Sequence, residues 1–220
     1  TGTGSNFRYL SKKIKFKNQF WTLMDLSKSS LNQAKKNIVT NNKIKKIILK
    51  HDDIIKNIQQ HNFEDYDLVT GSAFLDIMPF DWFKKFYIKN KNTKLVYFSI
   101  NYDGYIKFYP KHKLDRDILQ LFNNDQKSKK NNKTRAVGPD CSNIINRCFS
   151  KTHKCYLFKS NWIDVKNKNF QLMFLDFCEN IIKTNRKTNF SEWLDFRKEN
   201  IIKNNSKLSV SNKDFLAIKI

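Results

Sequence analysis

The residues able to do chemistry at the start of this chain are two glycines and a spaced set of acids: Gly2, Gly4, Asp25, Asp52 and Asp53. TGTGSNFRYL is a glycine-rich turn running into a helix whose start Ser5 or Asn6 can cap. Glycine lets the backbone approach a ligand closely, and a helix start offers free N–H groups to an acidic partner. Asp25 closes the apolar run FWTLMDL. An acid at a strand end about 20 residues past such a turn accepts the two hydroxyls of a ribose. The combination implies a nucleoside-bearing ligand. A dinucleotide is disfavoured, because Phe7 stands where G-x-G-x-x-G requires its third glycine. The G-K-[ST] of a phosphate-binding P-loop is absent.

These residues need strands to present them. FWTLMDL reads as a buried strand. SKSSLNQAKKNIV follows as a helix, with Leu31, Ala34 and Ile38 at helical spacing and Ser27 or Ser30 as its cap. KIKKIILKHDDI holds a second strand, ending at Asp52 and Asp53, and YDLVTGS is a third, ending at Gly71. Pro79 suits the first turn of the helix PFDWFKKFYI. NTKLVYFSIN is a fourth strand, and Asp103-Gly104 beyond it predicts a tight turn. This alternation means βαβ units and a mostly parallel sheet covered by helices on both faces.

The second half reads differently. DRDILQLFNNDQ is helical, and KSKKNNKTRAVGP is a polar, basic segment without apolar periodicity, a mobile loop by its composition. PDCSNIINRCF is a helix opened by Pro139, and HKCYLFKSNW is a strand. NFQLMFLDFCENII and FSEWLDFRKENII are amphipathic helices, and KLSVSNKDFLAIKI is a closing strand bent around residues 211–213. With no repeat or linker, residues 1–220 form one domain. Its parts are a ligand-binding βα half (1–101), a lid and substrate region (102–152) and C-terminal strands and helices (153–220).

Composition narrows the partners. The 220 residues carry 42 Lys+Arg against 20 Asp+Glu, a formal charge of +22, which favours anionic partners. Lys, Asn, Ile and Phe dominate, and the basic residues are spread along the chain rather than gathered in one arm. That is the pattern of an AT-rich coding sequence, and it weighs against a selected nucleic-acid surface. No apolar run approaches the ~20 residues of a membrane span, so no membrane is expected and the default location is cytoplasmic. Cys141, Cys148, Cys155 and Cys178 make no C-x-x-C pair, and the four histidines complete no zinc spacing. The weak exception is His153 and Cys155, two apart on one strand. Reduced, mostly buried thiols and no metal site are expected.

Taken together, these residues resemble the class I S-adenosylmethionine-dependent methyltransferases over nearly the whole chain. The first motif of that family ends in G-x-G, here Gly2-Thr3-Gly4, and the G-T-G-S-N-x-R form of residues 2–8 resembles a bacterial small-molecule branch. Asp25 matches the acid closing the second strand, and Asp52 or Asp53 matches the acid near the adenine amine. YDLVTGSAFLDIM resembles the fourth-strand motif, with Gly71, Ser72 and Ala73 beside the methyl donor, and SVSNKDFLAIKI resembles the antiparallel final strand. The resemblance implies a Rossmann-like sheet, mostly parallel, with that last strand antiparallel. It implies S-adenosyl-L-methionine as cofactor, held by Gly2, Gly4, Asn6, Asp25, Leu26, Asp52, Asp53, Gly71, Ser72 and Ala73. It also implies a first strand in mid-sheet that would precede Thr1, and hence a chain truncated at its N-terminus.

The implied activity is methyl transfer to a small molecule by in-line displacement, with a nucleophile held about 3 Å from the methyl carbon. Such chemistry calls for no conspicuous triad. Asp76, Asn101, Tyr102 and Arg135 are the candidates for the acceptor side, although each has a plainer reading as a cap, loop or surface residue. Asn123, Gln126 and Arg135 flank the basic segment, which as a lid would suit an acidic substrate. His112 reads as exposed; Phe74, Phe80, Trp82, Phe83, Phe86, Trp162 and Trp193 read as core. The alternatives are a methyltransferase acting on RNA, DNA or protein, and a non-catalytic basic protein binding nucleic acid. The N/D-P-P-[YF] motif used on nucleobase amines is replaced by Gly71-Ser72-Ala73-Phe74.

Overall fold

A computed structural model of the chain describes residues 1–38, 42–128, 130–131, 134–185 and 190–220. Helix α1 (Ser5–Lys13) precedes β1 (Gln19–Asp25), α2 (Lys28–Lys36), β2 (Ile44–His51), β3 (Leu68–Ser72), α3 (Phe80–Asn90) and β4 (Leu95–Tyr109). The second half contains α4 (Asp115–Ser128), β5 (Lys130–Asn131), β6 (Thr134–Arg135), α5 (Cys141–Phe149), β7 (His153–Lys159), β8 (Trp162–Val165), α6 (Lys168–Thr184), α7 (Ser191–Ile202) and β9 (Lys207–Lys219).

β1 and β2 form a parallel pair, Gln19 opposite Ile44 through Asp25 opposite His51. A second, mixed sheet has the order β3-β4-β9-β7, with β8 also on β9. β3 and β4 are parallel, while β9 runs antiparallel to β4, β7 and β8. Among the described residues β1 and β3 share no ladder. Side chains join the two pieces: Tyr66 Oη donates to Thr22 Oγ1 at 3.4 Å, and Asn6 on α1 donates to Thr70 Oγ1 on β3 at 3.1 Å.

Two hydrophobic cores lie along β4 and β9. The inner core packs Trp82, Phe83 and Phe86 of α3 and Ile145 and Phe149 of α5 onto Val96, Phe98, Phe215 and Ala217. The outer core packs Ile118 and Phe122 of α4, Leu175 and Ile181 of α6 and Trp193 of α7 onto Ile106, Phe108, Leu208 and Val210. Cys141 and Cys178 are buried in these cores, and burial pushes both thiols up to about 12.

Several local expectations change in the folded chain. No tight turn forms at Asp103-Gly104: β4 runs straight on, and register shifts against β9 absorb the extra residues. Gly104 serves there as a bulge residue at φ 99°. Gly4, not Ser5 or Asn6, occupies the N-cap of α1, while Ser27 is the cap of α2, accepting from Ser30 N–H at 3.1 Å. Within the basic segment β5 pairs antiparallel with β6, and Ala136 then bridges to Pro79; Lys129, Asn132 and Lys133 lie outside the described residues. Phe80 is 66% exposed and Trp162 37%, so neither is core. His112 is mostly buried, tucked against the ring of Phe196, because the outer core closes over it.

The outer core is fastened by one ion pair. Arg197 is 3% exposed. It donates to Asp115 Oδ1 and to the Pro110 carbonyl and stacks over Phe108, Trp193 and Phe196. Asp115 also accepts from Trp193 Nε1 at 2.8 Å and from the His112 N–H at 2.9 Å. Removing one partner of a buried pair leaves the other charge uncompensated. Arg197→Met is therefore expected to cost about 3 kcal/mol or more, read from the urea unfolding midpoint; a loss within 0.5 kcal/mol, roughly that of a surface substitution, would show that the pair fastens nothing.

Candidate functional site

The carboxyl ends of β1, β2 and β3, together with the glycine turn, make one rim. The turn places Gly2 at φ 51° and Gly4 at φ 82°, backbone that residues with a Cβ rarely adopt. At Gly4 a Cβ would also press on Ala34 of α2 at 3.3 Å. Arg8 braces the turn, donating to the Thr3 carbonyl at 2.6 Å and Ser5 Oγ at 2.9 Å. This arginine was within the quoted motif, but its role was not legible from spacing.

Asp25 is where the turn meets the strands. Its Oδ2 accepts from the Thr1 amino group at 2.9 Å and the Gly2 N–H at 2.7 Å, and its Oδ1 accepts from Ser27 N–H at 2.9 Å. Burial works to raise its pKa. The hydrogen bonds from the Ser27 and Gly2 N–H groups work against it, and the carboxyl stands below the usual aspartate value. The side chain remains 20% exposed, so the carboxylate is anchored yet reachable. Leu26 next to it is an exposed apolar side chain, and its carbonyl contacts His51 Nε2 at 2.7 Å.

Asp52 lies beside Asp25, its N–H donating to the Asp25 carbonyl at 3.0 Å. Its carboxylate accepts from Asn57 Nδ2 at 2.6 Å and faces His61 Nε2 at 3.1 Å and Lys50 Nζ at 3.6 Å. The Asn57 bond holds its pKa down, with burial opposing and His61 assisting. Asp53 turns the other way and caps the following turn through the Ile55 and Lys56 N–H groups. Of the two acids, Asp52 faces a polar cluster while Asp53 is spent on local structure. The His51 and His61 contacts had no motif to announce them.

On β3 the rim ends at Ser72, with Ala73 held at φ 49° while its N–H donates to the Ser99 carbonyl. Gly71 has a packing reason for its identity: a Cβ there would meet the Phe98 ring at 2.8 Å. Asn6 reaches the same strand through Thr70, so the glycine turn, Asp25, Asp52 and the end of β3 are joined by direct contacts.

The acceptor-side candidates are not gathered in the same way. Asn101 is fully buried in the β4 bulge, its amide donating to the Phe98 and Lys213 carbonyls. Tyr102 is buried and gives its hydroxyl to Asn123 at 2.8 Å, while Asn123 donates to the Gly104 carbonyl. Gln126 is buried on α4. Asp76 is half-buried in the short turn after β3, where its charge helps to raise the Cys141 thiol. Arg135 is exposed on β6. His153 Nε2 donates to the Thr93 carbonyl at 2.9 Å and its Nδ1 lies 2.8 Å from Thr152 Oγ1, beside Phe149 of the inner core.

No family model and no curated protein matches the chain. Solved structures do. An S-adenosylmethionine-dependent methyltransferase from Methanosarcina mazei aligns at a TM-score of 0.53 and 8% identity, over 100% of this chain and 89% of that one. Mycolic acid cyclopropane synthase CmaA1, complexed with SAH and CTAB, aligns at 0.50 and 9% identity, over 99% of this chain and 75% of that one. Phosphoethanolamine N-methyltransferase 2 of Haemonchus contortus, in complex with S-adenosyl-L-methionine, aligns at 0.41 and 9% identity over 100% of this chain. The chain spans about half the length of that last protein, 53%. The first two likenesses show that the chain has the Rossmann-like fold of S-adenosylmethionine-dependent methyltransferases, as the sequence resemblance implies.

Two measurements test the rim. Gly71→Ala forces the Phe98 ring to move and is expected to cost about 1–3 kcal/mol by chemical denaturation; no loss would mean the ring yields freely. Burial, assisted by Lys50 and opposed by Asp52, keeps the His61 pKa below 6.5, so the folded state favours neutral imidazole. A depressed pKa contributes stability above the unfolded value and loses it as pH falls. The melting temperature should therefore drop between about pH 7 and about pH 5, and His61→Gln should flatten that portion of the profile. An unchanged slope in the variant would remove His61 from the linkage.

Proposed function

We propose that the chain binds S-adenosyl-L-methionine on this rim and transfers its methyl group to a small-molecule acceptor. The observation that carries the proposal is the direct contact between the glycine turn and Asp25, beside the ends of β2 and β3 in a methyltransferase fold. The residues present fit such a donor. Asp25 is ionised, anchored and partly open, as an acceptor for ribose hydroxyls must be. Leu26 offers exposed apolar surface beside it for a planar base, and Asp52 supplies a carboxylate for an exocyclic amine. Gly2 and Gly4 allow close backbone approach, and the α1 N-terminus behind them faces carboxylate chemistry.

When bound, the sulfonium donor supplies an activated methyl group for in-line displacement. The contribution of this chain is placement. Asp25 fixes one end of the donor, while Asn6, through Thr70, fixes α1 against β3, so that the spacing between glycine turn and Ser72 is held. Ala73, in its left-handed conformation at φ 49°, ends β3 directly after Ser72. The strain there belongs to the segment expected to face the reacting group. Asp76 follows in that segment and remains the carboxylate best placed along the chain to orient an acceptor.

The +22 charge favours a second reading, a methyltransferase acting on nucleic acid or protein, or a nucleic-acid-binding protein without catalysis. A salt titration with a nonspecific RNA separates them: affinity no better than about millimolar at low salt removes this reading. Calorimetry tests the main one. S-adenosylmethionine should bind, and Asp25→Ala should weaken it at least about tenfold, the loss of a charged hydrogen-bond acceptor. Equal affinity in the variant would overturn the site.

A further inference from the structure

An open concavity of about 500 Å³ is lined by Phe80, Lys127, Arg135, Asp140, Ile144 and Arg147 among others, its wall joined to the rim by the short segment after β3. Its position is set by backbone pairing. Val137 N–H donates to the Met78 carbonyl at 2.9 Å, and Ala136 bridges to Pro79. The chain thus passes from Ala73 on the rim to Phe80 in the wall within one short segment. The volume is that of a small-molecule site.

The charges in it are not balanced. Lys127 holds Asp140, the acid of the lining, at 2.8 Å. Arg135 and Arg147 have no acid partner among the described residues, and neither is paired elsewhere. Their identity is selective. The chain has six arginines among its 42 basic residues, so lysine is the default cation. Arg197 and Arg8 hold internal carbonyl and carboxylate groups, work that a planar fork does and an ammonium does less well. Arg135 and Arg147 place two more forks on one concavity. The same concavity is lined by Phe80, 66% exposed, and by Ile144, whose other side packs against the inner core, so it has apolar surface beside the arginines.

We propose that this concavity takes the anionic end of the methyl acceptor, a carboxylate or a phosphate carried on an apolar body. Arg135 and Arg147 bind the anion through paired N–H groups, and Phe80 packs the body. This deepens the proposed methyl transfer by naming the acceptor class, and it rests on that reading for the word acceptor; the anion site itself stands on the concavity.

The test titrates the full chain with benzoate and phenyl phosphate, and with benzamide and benzylamine as neutral and cationic counterparts, by calorimetry at low salt. Benzoate or phenyl phosphate should bind and the counterparts should not, the stronger of the two identifying the anion. Arg135→Gln and Arg147→Gln should each weaken the anion about tenfold or more, with unchanged melting temperature and unchanged S-adenosylmethionine affinity. Equal anion affinity in both variants, or equal binding of benzamide, would overturn the proposal. A single-stranded RNA that binds more tightly than phenyl phosphate and is lost in the same variants would overturn it in favour of a nucleic-acid surface. Arginine-dependent anion binding without S-adenosylmethionine binding would sink the methyl-transfer reading while keeping the anion site; donor binding without anion binding would do the reverse.

Discussion

β4 and β9 are each far longer than an ordinary strand, 15 and 13 residues, and they pair along nearly their whole length. At about 3.4 Å per residue β4 spans roughly 50 Å. Its first half carries the inner core and its second half the outer core, so this single antiparallel ladder holds both cores in one body. The ladder cannot be regular throughout, because a sheet that long must change its twist where the helices on it change. The irregularity is concentrated at one polar joint. Ile100 takes φ 56°, its N–H bonds Asp214 Oδ1, and Tyr97 Oη bonds Asp214 Oδ2. Asn101 ties down two carbonyls, and Asn161 accepts from the Asn212 N–H and Ser211 Oγ on the facing strand. The Ile100 and Asn212 N–H groups and the Phe98 and Lys213 carbonyls are thereby given side-chain partners.

The joint also fixes where the rim can be. β3 pairs with the part of β4 that precedes it, Leu68 opposite Leu95 through Ser72 opposite Ser99. β3 therefore stops where the register of β4 against β9 first shifts, and the Ala73 N–H donates to the Ser99 carbonyl at that point. Beyond that point β4 belongs to the outer core and its bulge residues are consumed by it. This is why Asn101 and Tyr102, which look on paper like residues just past a strand end, are buried fasteners, while Ser72 and Ala73 remain on the edge of the sheet. The ion pair of Arg197 and Asp115 then closes the outer core against the same strand.

The contact of the glycine turn with Asp25 was legible in the chain because its determinants are local. A glycine turn, a helix start and an acid closing a strand depend on conformations reached within a few residues, and the parallel register of β1 with β2 brings Asp25 next to Asp52 once the strands exist. The arginine-lined concavity was legible only in part: Arg135 stood out beside the basic segment, while Arg147 and Phe80 carried no signal of sharing a surface with it. Arg147 comes there on α5, and Arg135 comes beside Phe80 where Ala136 forms a bridge to Pro79. No periodicity or motif encodes that bridge. Phe80 read as core by its type, although the N-terminal position on α3 leaves it outside the stripe of Trp82, Phe83 and Phe86 that the inner core covers.

By itself the sequence determined the α/β alternation, the antiparallel last strand and the glycine–aspartate contact, because patterning, turn chemistry and strand-end residues act over short distances; of the four thiols expected to be mostly buried, Cys141 and Cys178 are buried and Cys148 and Cys155 only half-buried. The tertiary structure alone decided that Asp103-Gly104 is a bulge rather than a turn, since only the presence of β9 along both halves of β4 makes a continuous strand cheaper than a hairpin. It also decided which of two adjacent acids joins the polar cluster of Asn57 and His61, Asp52, and which caps the following turn, Asp53. Long-range pairing selects among conformations that local chemistry leaves nearly equal, and in this chain that selection fell on the joint, the rim acids and the arginine-lined concavity.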